Sequence, residues 1–462
     1  MSHISVDLSK ITGKIKPMHA VNNGPNCTVG SFNGTWADHV RDQAQLKRNG
    51  NLLEYREAGI PYARTHDSSF FAKYGLEHTV DVHAIFPNFD ADPDDPASYD
   101  FTCTDHYMDM IEAGGAKVFY RLGSRIEHEI KKYGTLPPKD FHKWAVICEH
   151  IIRHYTEGWA NGSCRDIEYW EIWNEPDLDA DDAANKRTWG GTKAEFFEFY
   201  HIAATHLKAC FPHLKIGGPA VSGKMNWTED FLAQLKAPLD FFSWHVYAHD
   251  IEKINNRASK VRELLDKYGF KDTESILNEW NYVLDWAGDK MIYSHVESKK
   301  IKGAAFNLAT MCACQEGTVD MLMYYDARPS TAWNGLFDFM QYGKVTTKAY
   351  YAYPMFNTLY KLCNESYIES DNSDVYVCSA QKDDEAAFIV THFNDDDNNE
   401  GTEISIDISG FSSENGTEAE IYLLDADHDL TLTDSIVYYG DKIVIKRPLP
   451  NYTSYLVKLK KL

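Results

Sequence analysis

Two glutamates stand where a carboxyl group needs a reason. Glu175 lies near the end of Tyr169-Trp170-Glu171-Ile172-Trp173-Asn174-Glu175-Pro176, and Glu279 sits within Ile276-Leu277-Asn278-Glu279-Trp280-Asn281. Each follows an apolar, β-rich run and has Asn and Trp close by. Burying a carboxylate there without a partner is costly, so it serves either a structural hydrogen bond or chemical work. Two such groups in one pocket can divide the work, one kept protonated as a donor and the other ionised as an anion facing it. Cleavage of a glycosidic bond needs that division. A spacing of about 5–5.5 Å between the carboxyl groups leads to a covalent intermediate and retention, whereas a wider gap admits water and inverts.

For the pair to meet, their strands must belong to one sheet. Eight β-rich runs, at 15–21, 60–66, 117–122, 169–174, 214–218, 241–247, 275–280 and 319–325, alternate with helical patterns. Trp144, Ile147, Cys148, Ile151, Ile152 and Tyr155 share one helical face, as do Phe196, Phe197, Tyr200, Ala203 and Leu207. Eight strand-then-helix units predict the α/β class and a closed (β/α)8 TIM barrel. The competing open sheet loses its main support because no G-x-G-x-x-G follows the first strand. Reactive groups of such barrels lie at the C-terminal strand ends, where Glu175 on the fourth strand and Glu279 on the seventh both fall.

After a helical stretch at 349–363 the texture changes. Short alternating runs at 375–379, 387–391, 403–408, 420–424, 442–446 and 454–459 are separated by acidic turns such as 394–399, which predicts an antiparallel β-sandwich. Residues 4–8 also read as a strand. The expected organisation is a segment 1–14 joining the sandwich, a catalytic barrel at 15–365 and an accessory β-sandwich at 366–462.

Composition narrows the partners. Among 462 residues, 69 acidic against 46 basic side chains give a net charge of −23, which repels a phosphate backbone and argues against nucleic acid. No long uncharged apolar run points to a membrane, and the N-terminus shows no basic-then-apolar leader, so a cytoplasmic protein is expected. Nine cysteines without C-x-x-C spacing predict neither a disulfide framework nor a structural metal site. No cofactor is expected. The 13 % aromatic content suits the flat apolar faces of sugar rings, and ordinary core packing equally.

Trp173-Asn174-Glu175-Pro176 followed by Asn278-Glu279-Trp280-Asn281 resembles the retaining glycoside hydrolases of clan A, and most closely glycoside hydrolase family 39, which holds β-xylosidases and α-L-iduronidases. The resemblance runs over essentially the whole chain. It implies a retaining exo-glycosidase acting on terminal residues of plant-type oligosaccharides, first of all a β-xylosidase. Related activities on α-L-arabinosyl, galactosyl or uronic-acid ends share the same two-carboxylate chemistry, and a glycan-binding barrel without catalysis is the reading from another class.

By that resemblance Glu175 is the general acid/base, Glu279 the nucleophile, and Asn174 a hydrogen-bonding partner of the sugar 2-hydroxyl. Arg64 and His66, at the end of the second strand, match the family's arginine and sugar-contacting histidine; a guanidinium near Glu279 holds it ionised. His245 and Tyr247 alternate onto one strand face and can both point into the barrel mouth. The resemblance gives Tyr247 to the nucleophile and His245 to the sugar. Trp333, in the loop after the eighth strand, is the expected apolar floor. The departure lies in Met323-Tyr324-Tyr325-Asp326-Ala327-Arg328-Pro329, which lacks a tryptophan directly at the strand end; Asp326 and Arg328 either pair with each other or reach the substrate. His19 and Asn22 are further pocket candidates. His66 with His245 alone makes no metal-ligand set. The implied partner is a glycoside or oligosaccharide, and a homo-oligomer is compatible with the resemblance.

Overall fold

In the computed structural model, which describes residues 1–25, 51–66, 78–329, 332–338 and 346–462, the chain starts with β1 (Ser2–Lys14) and then enters a closed barrel. Its eight strands are β2 (Ala20–Asn22), β3 (Tyr62–Arg64), β4 (Lys117–Leu122), β5 (Tyr169–Ile172), β6 (Lys215–Val221), β7 (Phe241–Ala248), β8 (Glu274–Tyr282) and β9 (Met321–Tyr324). They follow one another around the barrel in sequence order, all parallel, and β2 pairs with β9 to close it. Each expected run overlaps one strand. The first yields only three paired residues, since Pro17 has no N–H to give a ladder.

Helices cover the barrel as the periodicity predicts. Phe141–Thr156 buries Trp144, Ile147, Cys148, Ile151, Ile152 and Tyr155. Lys193–Cys210, started by a Thr192/Glu195 capping box, buries Phe199 and Ala204 alongside Phe196, Tyr200, Ala203 and Leu207. Phe197 is only half-buried, lying edge-on against Trp227 and Phe231.

The barrel interior is layered. Ala20, Phe119, Tyr169, Phe241, Ile276, Met321 and Met323 fill an apolar floor. Two residues further along, period-2 alternation brings Asn22, Glu171 and Ser243 inward to form a buried polar layer with Arg64 and Asn278. On β8 the alternation breaks: the pairing with β7 slips between Trp244/His245, so that His245 faces Glu279 and the register skips Asn278. This bulge lets Asn278 and Glu279, neighbours in sequence, both serve the barrel interior.

The second unit contains β10 (Asn364–Ser370), β11 (Val375–Lys382), β12 (Glu385–His392), β13 (Thr402–Ser409), β14 (Thr417–Leu424), β15 (Thr431–Tyr438), β16 (Lys442–Leu449) and β17 (Ser454–Lys461). With β1 they form one sheet of nine strands, ordered β15-β14-β17-β12-β11-β10-β1-β13-β16 and antiparallel throughout except for β1 beside β13. The sheet wraps around a single apolar core that includes Ile4, Val6, Phe388, Ile406, Ile421, Ile445 and Val457. Its two edges meet where Arg447 on β16 holds Asp434 on β15 at 2.9 Å. The sequence reading missed β10 and β15, because neither shows clean alternation: the first is largely polar and the second is exposed on both faces.

One face of β12 lines that core through Ala386, Phe388 and Val390, while Ala387 and Ile389 join the barrel core on the other. Between barrel and sheet lies the helix Ile301–Glu316, in which 13 of 16 residues are buried, as its position between two layers requires. Among the described residues no helix is long and apolar enough to cross a membrane.

Candidate active site

Glu175 stands just past β5 in a backbone turn that side chains seldom adopt. Trp173 has φ 76° and Glu175 φ 47°, both in the left-handed region. The turn is held on several sides: the Trp173 indole donates to Thr188 O at 2.9 Å, the Glu175 N–H to Ala220 O at 2.9 Å, and the Thr188 hydroxyl to Glu175 O at 2.6 Å. Strain kept by such contacts aims the carboxyl group across the barrel mouth towards His245.

His245 joins the two acids. Its Nδ1 lies 2.8 Å from Glu175 Oε1 and 3.4 Å from Glu279 Oε2. One carboxylate oxygen from each glutamate and a ring nitrogen of His245 all lie within 4.8 Å of one another. The Nε2 of His245 is buried without a hydrogen-bond partner. The same three groups form a possible ligand set for a cation, although Glu279 is already crowded with donors.

Those donors are specific. Arg64 Nη1 reaches Glu279 Oε1 at 3.0 Å, His66 Nε2 the same oxygen at 2.9 Å, and the Tyr247 hydroxyl donates to Oε2 at 2.8 Å. Burial works to raise the Glu279 pKa, yet His245, His66 and Arg64 outweigh it and hold the carboxyl well below the usual range. Glu175 goes the other way. Burial raises its pKa, and the bond from His245 offsets only part of that. Two carboxyl groups in one pocket therefore have opposite tendencies: Glu175 towards the acid, Glu279 towards the anion.

Arg64, with no exposed surface, ties the pocket to the layer beneath. Its Nε bonds Glu171 Oε2 at 2.6 Å, its Nη1 also reaches Asn22 Oδ1 at 3.0 Å, and its Nη2 reaches Asn174 Oδ1 at 2.7 Å. Since Arg64 takes the Asn174 oxygen, the amide NH2 is the half of that side chain left to donate. Glu171 is satisfied in turn by Ser243 at 2.6 Å and Asn278 at 2.5 Å. Glu171, Ser243 and Asn278 were not singled out from sequence. The signal was present in the period: Tyr169, Glu171 and Phe241, Ser243, His245 alternate inward, and a carboxylate in mid-strand demands a cation.

The remaining candidates separate. Trp333 is half-buried, 6.4 Å from the Tyr247 ring and 5.1 Å from Trp286. Asp326 and Arg328 pair with each other at 2.6 Å. Asn22 lies beneath the pocket, accepting from Arg64 and donating through Nδ2 to Asn278 O at 2.7 Å. His19 does not reach it: its Nε2 lies 3.1 Å from Gly59 O, and its ring packs on Phe356 and Tyr360 of the helix Ala352–Leu362.

Fold and site together define a (β/α)8-barrel protein with a pair of oppositely tuned carboxyl groups at the C-terminal strand ends. The model of the glycosyl hydrolases family 39 matches residues 19–408, and the chain belongs to that family. It is 29 % identical over 178 residues to a β-xylosidase of Geobacillus stearothermophilus, covering 35 % of this chain and 33 % of that protein. It is 28 % identical over 259 residues to a β-xylosidase of Caldicellulosiruptor saccharolyticus, covering 54 % and 46 %. Those matches thus span less than half of each relative's length. Among solved structures, a glucosidase from Croceicoccus marinus shares the fold with a TM-score of 0.78 at 21 % identity, over 100 % of this chain and 99 % of that one. A monomeric β-xylosidase from Caulobacter crescentus CB15 does so at 0.71 and 17 %, over 100 % of both.

Proposed function

We propose that the chain is a retaining exo-glycosidase of β-xylosidase type, with Glu175 as general acid/base and Glu279 as nucleophile. The observation that carries this reading is the juxtaposition of the two carboxyl groups around His245, within 4.8 Å and with opposite pKa tendencies. With one oxygen of each carboxyl group within 4.8 Å of the other, the pair fits the roughly 5–5.5 Å separation of a retaining site. Glu175 passes its proton to the leaving oxygen while a Glu279 oxygen attacks the anomeric carbon, so the glycosidic C–O bond breaks as the glycosyl–enzyme ester forms. Glu175, now a carboxylate, takes a proton from water, and the water oxygen attacks the same carbon to release the sugar and free Glu279. Asn174 donates its amide to the 2-hydroxyl, a bond that strengthens as positive charge develops on the ring.

Two curated relatives named β-xylosidase favour a xylosyl substrate. The ion pair between Arg328 and Asp326 favours it as well, because it commits the cation that a uronic-acid carboxylate would call on. A panel of chromogenic xylosides, arabinosides, galactosides and glucuronides, with the product anomer followed by NMR, tests substrate and stereochemistry together. Inversion, or no turnover of any glycoside, overturns the reading. Glu175→Ala adds an independent check: slow turnover rescued by azide, with a glycosyl azide of retained configuration as product.

A further inference from the structure

Trp286 stands out among the tryptophans. It is 56 % exposed, whereas every other described tryptophan is buried or half-buried. A lone exposed aromatic is ordinary on a protein surface, and what sets this one apart is its position. It follows β8, the strand of Glu279, in the loop that leads into the helix Gly288–Glu297. Its ring lies 5.0 Å from that of Tyr247 at 79°, and 5.1 Å from that of Trp333 at 53°. Tyr247 is the residue whose hydroxyl holds Glu279. Trp333 is braced from another side by His295, whose ring meets it edge-on at 4.0 Å, and its carbonyl accepts from Asn281 at 2.8 Å.

The three aromatic rings thus form a continuous wall that begins at the nucleophile's hydrogen-bond partner and ends at an open indole on the rim. We propose that Trp286 is a stacking platform for the group on the leaving side of the scissile bond, taking the apolar C–H face of a second pyranose ring. Three features support that ligand class: a flat apolar surface, its continuity with the pocket, and its exposure at the solvent end, where an exo-acting pocket receives everything beyond the terminal residue. Trp286 makes no hydrogen bond through its side chain to the catalytic carboxylates, so it sets specificity and takes no part in the chemistry.

The proposal rests on the glycosidase reading above, and the test separates the two. For the glycosyl unit accepted in the screen, two substrates are compared: a disaccharide and a 2,2,2-trifluoroethyl glycoside, whose small leaving group carries no ring to stack. Trp286→Ala is expected to lower kcat/KM for the disaccharide about 10-fold, mainly through KM, and to leave the trifluoroethyl glycoside within about 2-fold. Trp286→Phe, which keeps a flat ring, is expected to recover most of the loss. An equal fall on both substrates, which marks a prop for Tyr247, overturns the platform, as does no change on either. So does a change in oligomeric state on substitution, which marks an interface through the neighbouring exposed Ile292 and Val296. A wild-type chain silent on all glycosides overturns the glycosidase reading itself.

Discussion

Two buried charge networks make an instructive contrast. One surrounds Arg64 inside the barrel; the other surrounds Lys302, where barrel and sheet meet. Lys302 lies 2.8 Å from Asp395 and 3.0 Å from Asp397, both in the acidic turn after β12, and also reaches Tyr293 at 3.1 Å. Tyr282, at the end of β8, donates to Asp395 at 2.7 Å, and Tyr452 donates to Asp397 at 2.7 Å. The Tyr282, Tyr293 and Tyr452 rings stand 5.3–5.4 Å from the ammonium. Burial works to lower the Lys302 pKa, and the carboxylates and hydroxyls around it reverse that, so it stays charged. The cation is saturated, and the network joins two units.

Around Arg64 the same physics has a different result. Glu171 consumes one edge of the guanidinium and Asn22, itself fully buried, takes a share of Nη1, while the rest is spent on Asn174 and Glu279, whose outer atoms face the pocket. The carboxylate pair stays slightly open, with side-chain exposures of 14 % for Glu175 and 6 % for Glu279. Buried charge alone therefore does not mark a site; what marks it is a network that ends on groups still able to meet a ligand.

The largest effect that would break this contrast is on activity. Glu279→Gln is expected to lower kcat by about four orders of magnitude while the far-UV CD spectrum stays native, since it removes the anion proposed as nucleophile at the network's end. Retained turnover would place the site elsewhere. Arg64→Met strikes the centre, leaving Glu171 buried without its cation; a loss of about 3–5 kcal/mol in denaturant unfolding is expected, together with activity. Lys302→Met should cost about 3 kcal/mol in the same measurement while kcat/KM of the folded enzyme stays within about 3-fold. A large catalytic defect there would show that the two networks are coupled through Tyr282 and β8.

The smallest effect is the most diagnostic. In the proposed mechanism Glu279 works ionised, so activity is expected to fall as pH drops through a pKa that His245, His66 and Arg64 hold low against burial. In the same mechanism Glu175 works protonated, so activity is also expected to fall as pH rises through a pKa that burial lifts. His245 lowers both, and His245→Phe is expected to move both limbs of the kcat/KM profile to higher pH, by about one unit. A shift of one limb only would show that His245 serves a single carboxylate.

Much was legible before any coordinates. Alternation fixed which strand residues face the barrel axis, because a strand has period 2 whatever it pairs with. The helical faces around Ile151 and Ala203, and the setting of Glu175 and Glu279 at strand ends, follow from equally local rules. What stayed hidden depended on partners far apart in the chain. Pairing Glu171 with Arg64 needs β3 and β5 on one barrel wall. Glu279 joins Asn278 in facing inward only because the register between β7 and β8 slips there, and that slip is a property of two strands. Trp286 looks like any loop aromatic until closure of the barrel puts it beside Tyr247. Sequence determined which side chains each element could offer to the barrel axis; only the tertiary structure decided which charges met, since Coulomb energy and hydrogen bonds depend on distances that local propensity does not set.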